Sequence, residues 1–465
     1  MKRTMRTQQV FSAQSTSIAN RARRMAALLL TAVLAVLALS HSASAQCPPG
    51  WVPGIGTPGI SGTSVSAIAV LPGGDVIVGG LFTTAGGVAA ANIARYNPTT
   101  GAWSALGAGT SSNVFEIAVL PDGDLIVGGA FTTAGGVAAN RIARYNPNTG
   151  VWSALGAGTS GGTNAVNALA VLPGGDVIAA GGFTSAGGVA ANFIARVNPT
   201  TNVWSALGAG TSASVNALAV LPNGNVIVGG NFSTAGGVTA ARIARYNPTT
   251  GVWSAMGAGM NSTVLSLAVL PGGDVIVGGN FTTAGGIAAN FVARYYPLSN
   301  SWTPLDATLG TNNLVNALVV VPGGDVIAGG TFTNAGGVAV NRIARYNATT
   351  GLWSALGAGV NNTVNALAVM PGTDVFVGGG FTAANGAAAN FVARYSPGAP
   401  PPIITVQPVP VVSCPSGVAM FRVGTTLDEP AGPPTYQWRK DGVAINTIAN
   451  PSAATATLAL SDVQD

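Results

Sequence analysis

The chain has 465 residues, of which only 7% are charged, and its formal net charge is +5. Six of its 19 Lys and Arg residues lie in the first 45 positions, which leaves 13 basic against 14 acidic residues in the remainder. This balance excludes a broad basic surface for nucleic acid beyond position 45. Although the chain holds 66 glycines, regularly placed Val, Ile, Leu and Phe residues indicate a packed core rather than a low-complexity segment.

The first 45 residues have the layout of an export signal. Basic residues that include Arg23 and Arg24 precede an uncharged apolar run, Ala26–Leu39, and small residues at Ala43-Ser44-Ala45 provide a cleavage site. The alternative, a membrane anchor, would need a longer apolar run to cross a bilayer. The sequence therefore predicts a cleaved signal peptide over 1–45, a secreted or cell-surface protein that begins at Gln46, and no stable membrane insertion.

The next segment, 46–397, consists of repeats. Each repeat places a Phe after a glycine-rich stretch, and successive copies of this residue lie 49 to 52 positions apart. The seven copies are Phe82, Phe131, Phe183, Phe232, Phe281, Phe332 and Phe381. Self-similarity at this period is typical of repeat architectures in which each unit packs on its neighbours.

Four strands fit each repeat, and we name them a, b, c and d. In the fourth repeat they are predicted at Val215–Leu221, Val226–Gly230, Arg242–Asn247 and Val252–Met256. Strands a and b are apolar on both faces, so neighbouring sheets must cover them. Seven four-stranded units of this length predict an all-β fold with a seven-bladed β-propeller.

A tryptophan in strand d marks six of the repeats, and the last repeat lacks one. The sequence around Trp51 matches these strand d segments, so we expect the N-terminal segment to supply strand d of the last blade and close the ring. The predicted ring-closure and blade-core residues are Trp51, Trp103, Trp152, Trp204, Trp253, Trp302 and Trp353.

Residues 51–397 resemble two known kinds of repeat. The diglycine Gly229-Gly230 and the interval from Tyr246 to Trp253 are similar to kelch-type repeats. The stretches at 279–282 (Gly-Asn-Phe-Thr), 243–246 (Ile-Ala-Arg-Tyr) and 353–357 (Trp-Ser-Ala-Leu-Gly) resemble repeats of the cortical cell-polarity marker family. Both resemblances imply a propeller that binds or scaffolds, and neither implies a particular ligand.

A proline-rich linker is predicted at 398–402, and the remainder, 403–465, resembles an immunoglobulin-like domain of secreted bacterial proteins. Gly417–Val423, Tyr436–Val443 with Trp438, and Ala456–Val463 match its strands B, C and E. We expect this β-sandwich to be incomplete, because the sequence ends before strands F and G. Whether Cys47 and Cys414 form a disulfide is left open.

Few residues suit catalysis. His41 is the only histidine and lies in the predicted signal, so residues 46–465 cannot form a Ser-His-Asp site and lack the commonest zinc and copper ligand. An Asp before strand b recurs at Asp75, Asp124, Asp176, Asp274, Asp325 and Asp374, and an Arg in strand c recurs at Arg95, Arg144, Arg196, Arg245, Arg294, Arg345 and Arg394. We interpret these as turn residues and their partners; the alternative is a basic ring for an anionic ligand. The sequence predicts no catalytic residue, no metal and no cofactor.

The loops indicate where binding would occur. In a four-stranded blade the b–c and d–a loops emerge on one face, which we call the loop face, and the short a–b and c–d turns emerge on the other, the turn face. Long loops and both length insertions fall on the loop face, where repeat proteins usually bind. The candidate binding residues are Thr159, Asn164, Asn312 and Asn313.

The sequence favours a secreted, non-enzymatic propeller scaffold that contacts protein or polysaccharide at the cell surface, with no nucleic-acid partner. Two alternatives stay open: an extracellular glycan-active enzyme, and a purely structural component of the envelope or matrix. The first would need acidic residues that converge within about 10 Å, as in a glycosidase.

Overall fold

The computed structural model describes residues 49–397, except 53, 56, 164 and 307–309, and six short strands beyond residue 403. The predicted signal, the linker and most of the predicted immunoglobulin-like segment, including Cys47, Cys414 and Trp438, lie outside the described residues. Pro48–Gly398 form one compact unit. All regular structure in the described part of the chain is β-strand, as the apolar, β-branched repeats predict.

Within residues 49–397 the strands form a series of seven antiparallel sheets, numbered here in chain order. Strand a spans Ile60–Val70, Val114–Val119, Val166–Val171, Val215–Val220, Val264–Val269, Val315–Val320 and Val364–Val369. Strand b spans Val76–Ala85, Leu125–Gly129, Val177–Gly181, Val226–Gly230, Val275–Gly279, Val326–Gly330 and Val375–Gly379. Strand c spans Ile93–Tyr96, Ile142–Asn146, Ile194–Asn198, Ile243–Tyr246, Val292–Tyr296, Ile343–Asn347 and Val392–Ser396.

Strand d spans Trp103–Ala105, Val151–Ala154, Val203–Ala206, Trp253–Ala255, Ser301–Pro304 and Leu352–Ala355. In the seventh sheet the outer position is taken by Gly50–Val52, where Trp51 lies opposite Tyr395 of strand c. This is the pairing that the position of Trp51 in the sequence predicts. The N-terminal and C-terminal ends of the repeat region therefore share one sheet.

The b–c connections are not open loops, contrary to the sequence interpretation. Each folds into a small hairpin: Thr84–Ala85 with Val88–Ala89, Thr133–Ala134 with Val137–Ala138, Ser185–Ala186 with Val189–Ala190, Thr234–Ala235 with Val238–Thr239, Thr283–Ala284 with Ile287–Ala288, Asn334–Ala335 with Val338–Ala339, and Ala383–Ala384 with Ala387–Ala388. Two positive-φ glycines turn each of the first six, and in the seventh Asn385 (φ 51°) replaces the first of them. In the second, Gly135 (φ 60°) lies so close to the Trp152 ring that a Cβ there would overlap it. Each hairpin is therefore a compact layer over strand d.

The core lies between successive sheets. Val114 of the second sheet packs against Gly79 of the first, where an added Cβ would lie 2.5 Å from Cγ1 of Val114. Glycine at this position of strand b thus allows the inner strands to approach closely. The Nε1 of Trp152 donates to the carbonyl oxygen of Leu106 at 2.9 Å and so ties strand d to the preceding sheet. Trp51 makes the equivalent bond to Leu356 at 2.8 Å.

The first and seventh sheets also contact each other. The side chain of Asn365 in the seventh donates to the carbonyl oxygen of Val65 in the first at 3.3 Å. Phe376 of the seventh sheet shares a buried apolar cluster with Val76 and Val78 of the first. The same kind of contact joins neighbours along the chain, such as Asn216 to Val264.

Beyond residue 403 three short ladders are described. Ile404–Val406 pairs with Gly424–Thr425, Ala419–Arg422 with Thr457–Leu460, and Arg439–Lys440 with Val443–Ala444, all antiparallel.

Candidate binding surface

The recurring arginines of strand c are neutralised on the turn face. Arg144, Arg196, Arg294 and Arg345 each contact the Asp that precedes strand b of their own sheet, with nitrogen–oxygen distances of 2.6 to 2.7 Å, and Arg95–Asp75 and Arg394–Asp374 form the same pair. The interpretation of these residues as mutual partners is confirmed. A ring of free positive charge is therefore not available at this position.

The fourth sheet departs from that rule. Asn225 stands where the other sheets have Asp, and Arg245 instead donates its Nε to Oγ of Ser254 at 3.2 Å. The guanidinium of Arg245 therefore has no carboxylate partner among the described residues.

A shallow cleft of about 330 Å³ lies on the turn face between the second and third sheets. Asp122, Asp176, Asn198 and Pro199 contribute to its wall. Both carboxylates are engaged, Asp122 by Arg144 at 2.8 Å and Asp176 by Arg196 and by Nδ2 of Asn198 at 2.7 Å. The cleft is polar and its acidic groups are already satisfied by the protein.

The loop face is held together by side chains of the d–a loops. Asn312 donates its Nδ2 to Oγ1 of Thr333 at 2.9 Å, and its Oδ1 accepts from the backbone N–H groups of Thr333 and Asn334 at 2.8 and 3.0 Å. Asn261 and Asn361 make the same contacts to the hairpins of their own sheets. These exposed amides fasten three of the d–a loops to the hairpins beside them.

The predicted binding residues differ in how far their side chains are exposed. Asn312 and Asn313 are exposed on the loop face, and Asn313 accepts the N–H of Leu314 at 2.9 Å. Thr159 is 0% exposed, because Thr159–Ser160 pairs with Ser185–Ala186 of the next hairpin. The Thr159 side chain therefore cannot contact a partner in the folded state. Asn164 lies outside the described residues.

Aliphatic side chains are exposed at one position of the hairpins. Val88, Val137, Val189, Val238 and Ile287 are each 39 to 43% exposed. A second exposed set lies at the start of strand d, beside the c–d turn, at Val151, Val203, Val252 and Leu352. The loop face thus combines regularly spaced aliphatic groups with amides and hydroxyls.

Sequence reasoning missed one position on this face. The residue immediately before strand c has a positive φ in every sheet, between 60° and 67°, and it is Asn92, Arg141, Phe193, Arg242, Phe291, Arg342 and Phe391 in chain order. After the first sheet, Arg and Phe alternate. Alignment of the repeats would have shown this alternation, but not the backbone conformation or the surroundings of the side chains.

The described residues contain no group of three or more His, Cys, Asp or Glu side chains placed to hold a metal ion. Nor does any helix long and apolar enough to span a membrane occur among them. In strand a of the second sheet, desolvation by the surrounding protein raises the pKa of Glu116 to about 7.

The described residues form repeated antiparallel sheets that pack face to face, with a compact hairpin between strands b and c of each and no helix among them, and these features define a repeat protein of the β-propeller type. The chain belongs to the family of the Rax2 C-terminal beta propeller domain, whose model matches residues 56–163, 157–258, 198–308 and 295–398. The cortical-marker resemblance predicted from the sequence is confirmed at this level. No curated protein matches the chain.

The chain is also similar to two solved structures of the extracellular domain of BT4673 from B. thetaiotaomicron, described as a one-component and as a hybrid two-component system. Their sequence identity to the chain is 12%, with TM-scores of 0.48 and 0.49, and they cover 79% and 78% of it. The chain spans 41% of the length of each of those structures.

Proposed function

We propose that residues 46–397 form a seven-bladed β-propeller with kelch-like blades, closed by the N-terminal strand. The contact of Asn365 with Val65 and the pairing of Trp51 with Tyr395 support closure of the series into a ring. In a closed ring every sheet packs against two neighbouring sheets, so the blades form a rigid platform for the loops.

The second part of this proposal concerns residues 403–465, as a partial immunoglobulin-like β-sandwich. The antiparallel pairing of Ala419–Arg422 with Thr457–Leu460 supports it, because these segments fall within the predicted strands B and E. Strands B and E are neighbours in one sheet of an immunoglobulin domain.

The function that the geometry supports best is that of a secreted, non-enzymatic scaffold that binds protein or polysaccharide at the cell surface through the loop face. The observation that carries this proposal is the contrast between the two faces. Both faces carry exposed aliphatic side chains, but on the turn face most charged groups are paired within their own sheets, whereas the loop face adds exposed amides, such as Asn261, Asn312 and Asn361, at the same place in successive sheets. Regular presentation of this kind suits an extended or repetitive partner.

The distribution of acidic groups supports the non-enzymatic part. Carboxylates such as Asp176 and Asp274 each engage an arginine of their own sheet. Acidic residues that recur once per sheet are spread along the series, whereas a hydrolytic pair must converge. Export is supported by the leader in the sequence, with its basic segment, apolar run and small-residue cleavage site.

A matched pair of variants tests the binding face. Val137→Glu combined with Val238→Glu places negative charge on two hairpins of the loop face, and Val151→Glu combined with Val252→Glu places the same charge beside the c–d turns. The second pair is the matched control. Its side chains are more exposed, at 59% and 58% against 41% and 39%, so they present the added charge to solvent at least as fully.

Binding would be measured on a glycan array and by capture from native envelope extracts. We expect the hairpin variant to lose partners that the parent and the control variant keep, with equal melting temperatures. Loss in the control variant alone would place binding on the turn face. Absence of any partner for the parent would favour a purely structural role, and substrate turnover abolished by one Asp→Asn change would overturn the non-enzymatic assignment.

A further inference from the structure

We propose that the loop face recognises an acidic polysaccharide through Arg141, Arg242 and Arg342. This inference rests on the proposed function and adds the chemical class of the ligand. The three arginines occupy the same position, immediately before strand c, in the second, fourth and sixth sheets. They are therefore repeated on one face at every second sheet.

The backbone at this position is unfavourable for arginine. Arg141, Arg242 and Arg342 have φ angles of 66°, 64° and 60°, in the left-handed region that long side chains rarely adopt. Asn92 holds the same position in the first sheet with φ 64°, and asparagine tolerates this conformation well. Arginine thus occurs three times where the backbone itself favours another residue.

Packing explains the phenylalanines at this position but not the arginines. Phe193 and Phe291 contact the buried apolar clusters between their own sheet and the next one. Asn92 is also accounted for, because it is buried and donates its Nδ2 to the carbonyl oxygen of Thr110 at 2.7 Å. Arg242 and Arg342 make no such cluster or hydrogen-bond contact among the described residues.

The guanidinium groups have no anionic partner within the described part of the chain. The ion pairs there all involve the arginines of strand c on the turn face. Arg141 donates only from Nη1 to the carbonyl oxygen of Thr159, at a long 3.5 Å, and its Nε is buried without an acceptor. The Oγ1 of Thr159 is also buried and unpaired. The guanidinium N–H groups of the three arginines that make no hydrogen bond within the described residues can donate to a carboxylate.

The chemistry of the face favours a polysaccharide among the possible polyanions. A polymer with regularly spaced carboxylates can reach cations placed in alternate sheets, and exposed amides and hydroxyls such as Asn261 and Thr282 lie between them. Single-stranded nucleic acid would need exposed aromatic rings on which bases stack. Here Phe193 and Phe291 are half-buried between sheets.

The test uses asparagine, which the first sheet already carries at this position. Binding of the full chain to polygalacturonate is measured at low and moderate salt, with methyl-esterified polygalacturonate as the uncharged polymer of the same backbone. The variant is Arg141→Asn/Arg242→Asn/Arg342→Asn, and Arg245→Asn removes one positive charge from the turn face as control. Dextran sulfate and dextran form a second pair of polymers that separates sulfate from carboxylate recognition.

We expect the parent to bind the charged polymer and not its ester. Each exposed ion pair contributes roughly twofold to fivefold in affinity, so the triple variant should bind about tenfold to a hundredfold more weakly. Its melting temperature should equal or exceed that of the parent, because asparagine relieves the backbone strain, and Arg245→Asn should bind normally. A Lys variant at the same three positions should retain most of the binding.

Equal binding by the parent and the triple variant would overturn the inference, as would a preference for the esterified polymer or tighter binding of single-stranded DNA. If neutral glycans or proteins bind instead and the hairpin variant loses them, the proposed function stands and only the ligand class is refuted. If the parent binds no polysaccharide and no protein, the proposed function and the ligand class are both refuted.

Discussion

The half-buried Glu116 should make the stability of the protein depend on pH. Glu116 lies opposite Gly128 of strand b, and the equivalent residue is alanine in five other sheets and serine in the remaining one. These residues are Ala67, Ala168, Ala217, Ser266, Ala317 and Ala366. Burial raises the pKa of Glu116 from 4.5 to about 7, and the hydrogen bond that the N–H of Ile117 donates to its Oε1 at 3.3 Å offsets only part of this.

The direction in which stability changes with pH follows from proton binding. The folded protein holds the proton of Glu116 more tightly than the unfolded chain does, so the stabilising contribution is complete below about pH 4.5 and is lost as the pH rises through about 7. A move of the pKa from 4.5 to about 7 corresponds to about 3 kcal/mol. Partial exposure of the side chain reduces the expected change to roughly 2 kcal/mol.

Urea unfolding, followed by tryptophan fluorescence, would measure this effect from about pH 4 to about pH 8. Glu116→Gln keeps the shape of the side chain and removes its charge, and Glu116→Ala restores the residue common in the other sheets. We expect Glu116→Gln to match the parent at the acidic end and to exceed it by roughly 2 kcal/mol at the alkaline end. Parallel pH profiles for parent and Glu116→Gln would refute the reasoning.

Three further variants test other parts of the structure. Asn225→Asp should supply the missing partner of Arg245 and raise the free energy of unfolding by about 0.5–1 kcal/mol; an unchanged denaturation midpoint would contradict this. Trp51→Ala should lower the free energy of unfolding by about 2–3 kcal/mol, because the hydrogen bond to Leu356 and the packing of the indole ring are lost. Leu298→Ala is the neutral control, because the Leu298 side chain is fully exposed. Asn312→Ala should cost about 1 kcal/mol in thermal melts, because two backbone N–H groups lose their acceptor; no change would show that this amide does not fasten the hairpin.

The sequence by itself determined the sheets. Apolar strand residues and turn-forming residues recur at a nearly fixed period along the chain. Because strand formation depends on neighbours within one repeat, strands such as Val226–Gly230 occur where they were predicted. The pairing of Arg with Asp was readable for the same reason, because both residues recur at a constant spacing in every sheet except the fourth, which has Asn225 in place of Asp. The displaced strand at Trp51 was readable because the last repeat lacks its own tryptophan.

Only the tertiary structure decided which side chains of the loop face are available. Thr159 is buried because it pairs with the hairpin of the next repeat, and the unusual backbone of Arg141 follows from its place between a hairpin and strand c. The raised pKa of Glu116 likewise results from packing against its surroundings. At Thr159 and Arg141, burial and hydrogen bonding depend on contacts with segments 18 to 27 residues away in the chain, and the alternation of residues along one strand does not contain them.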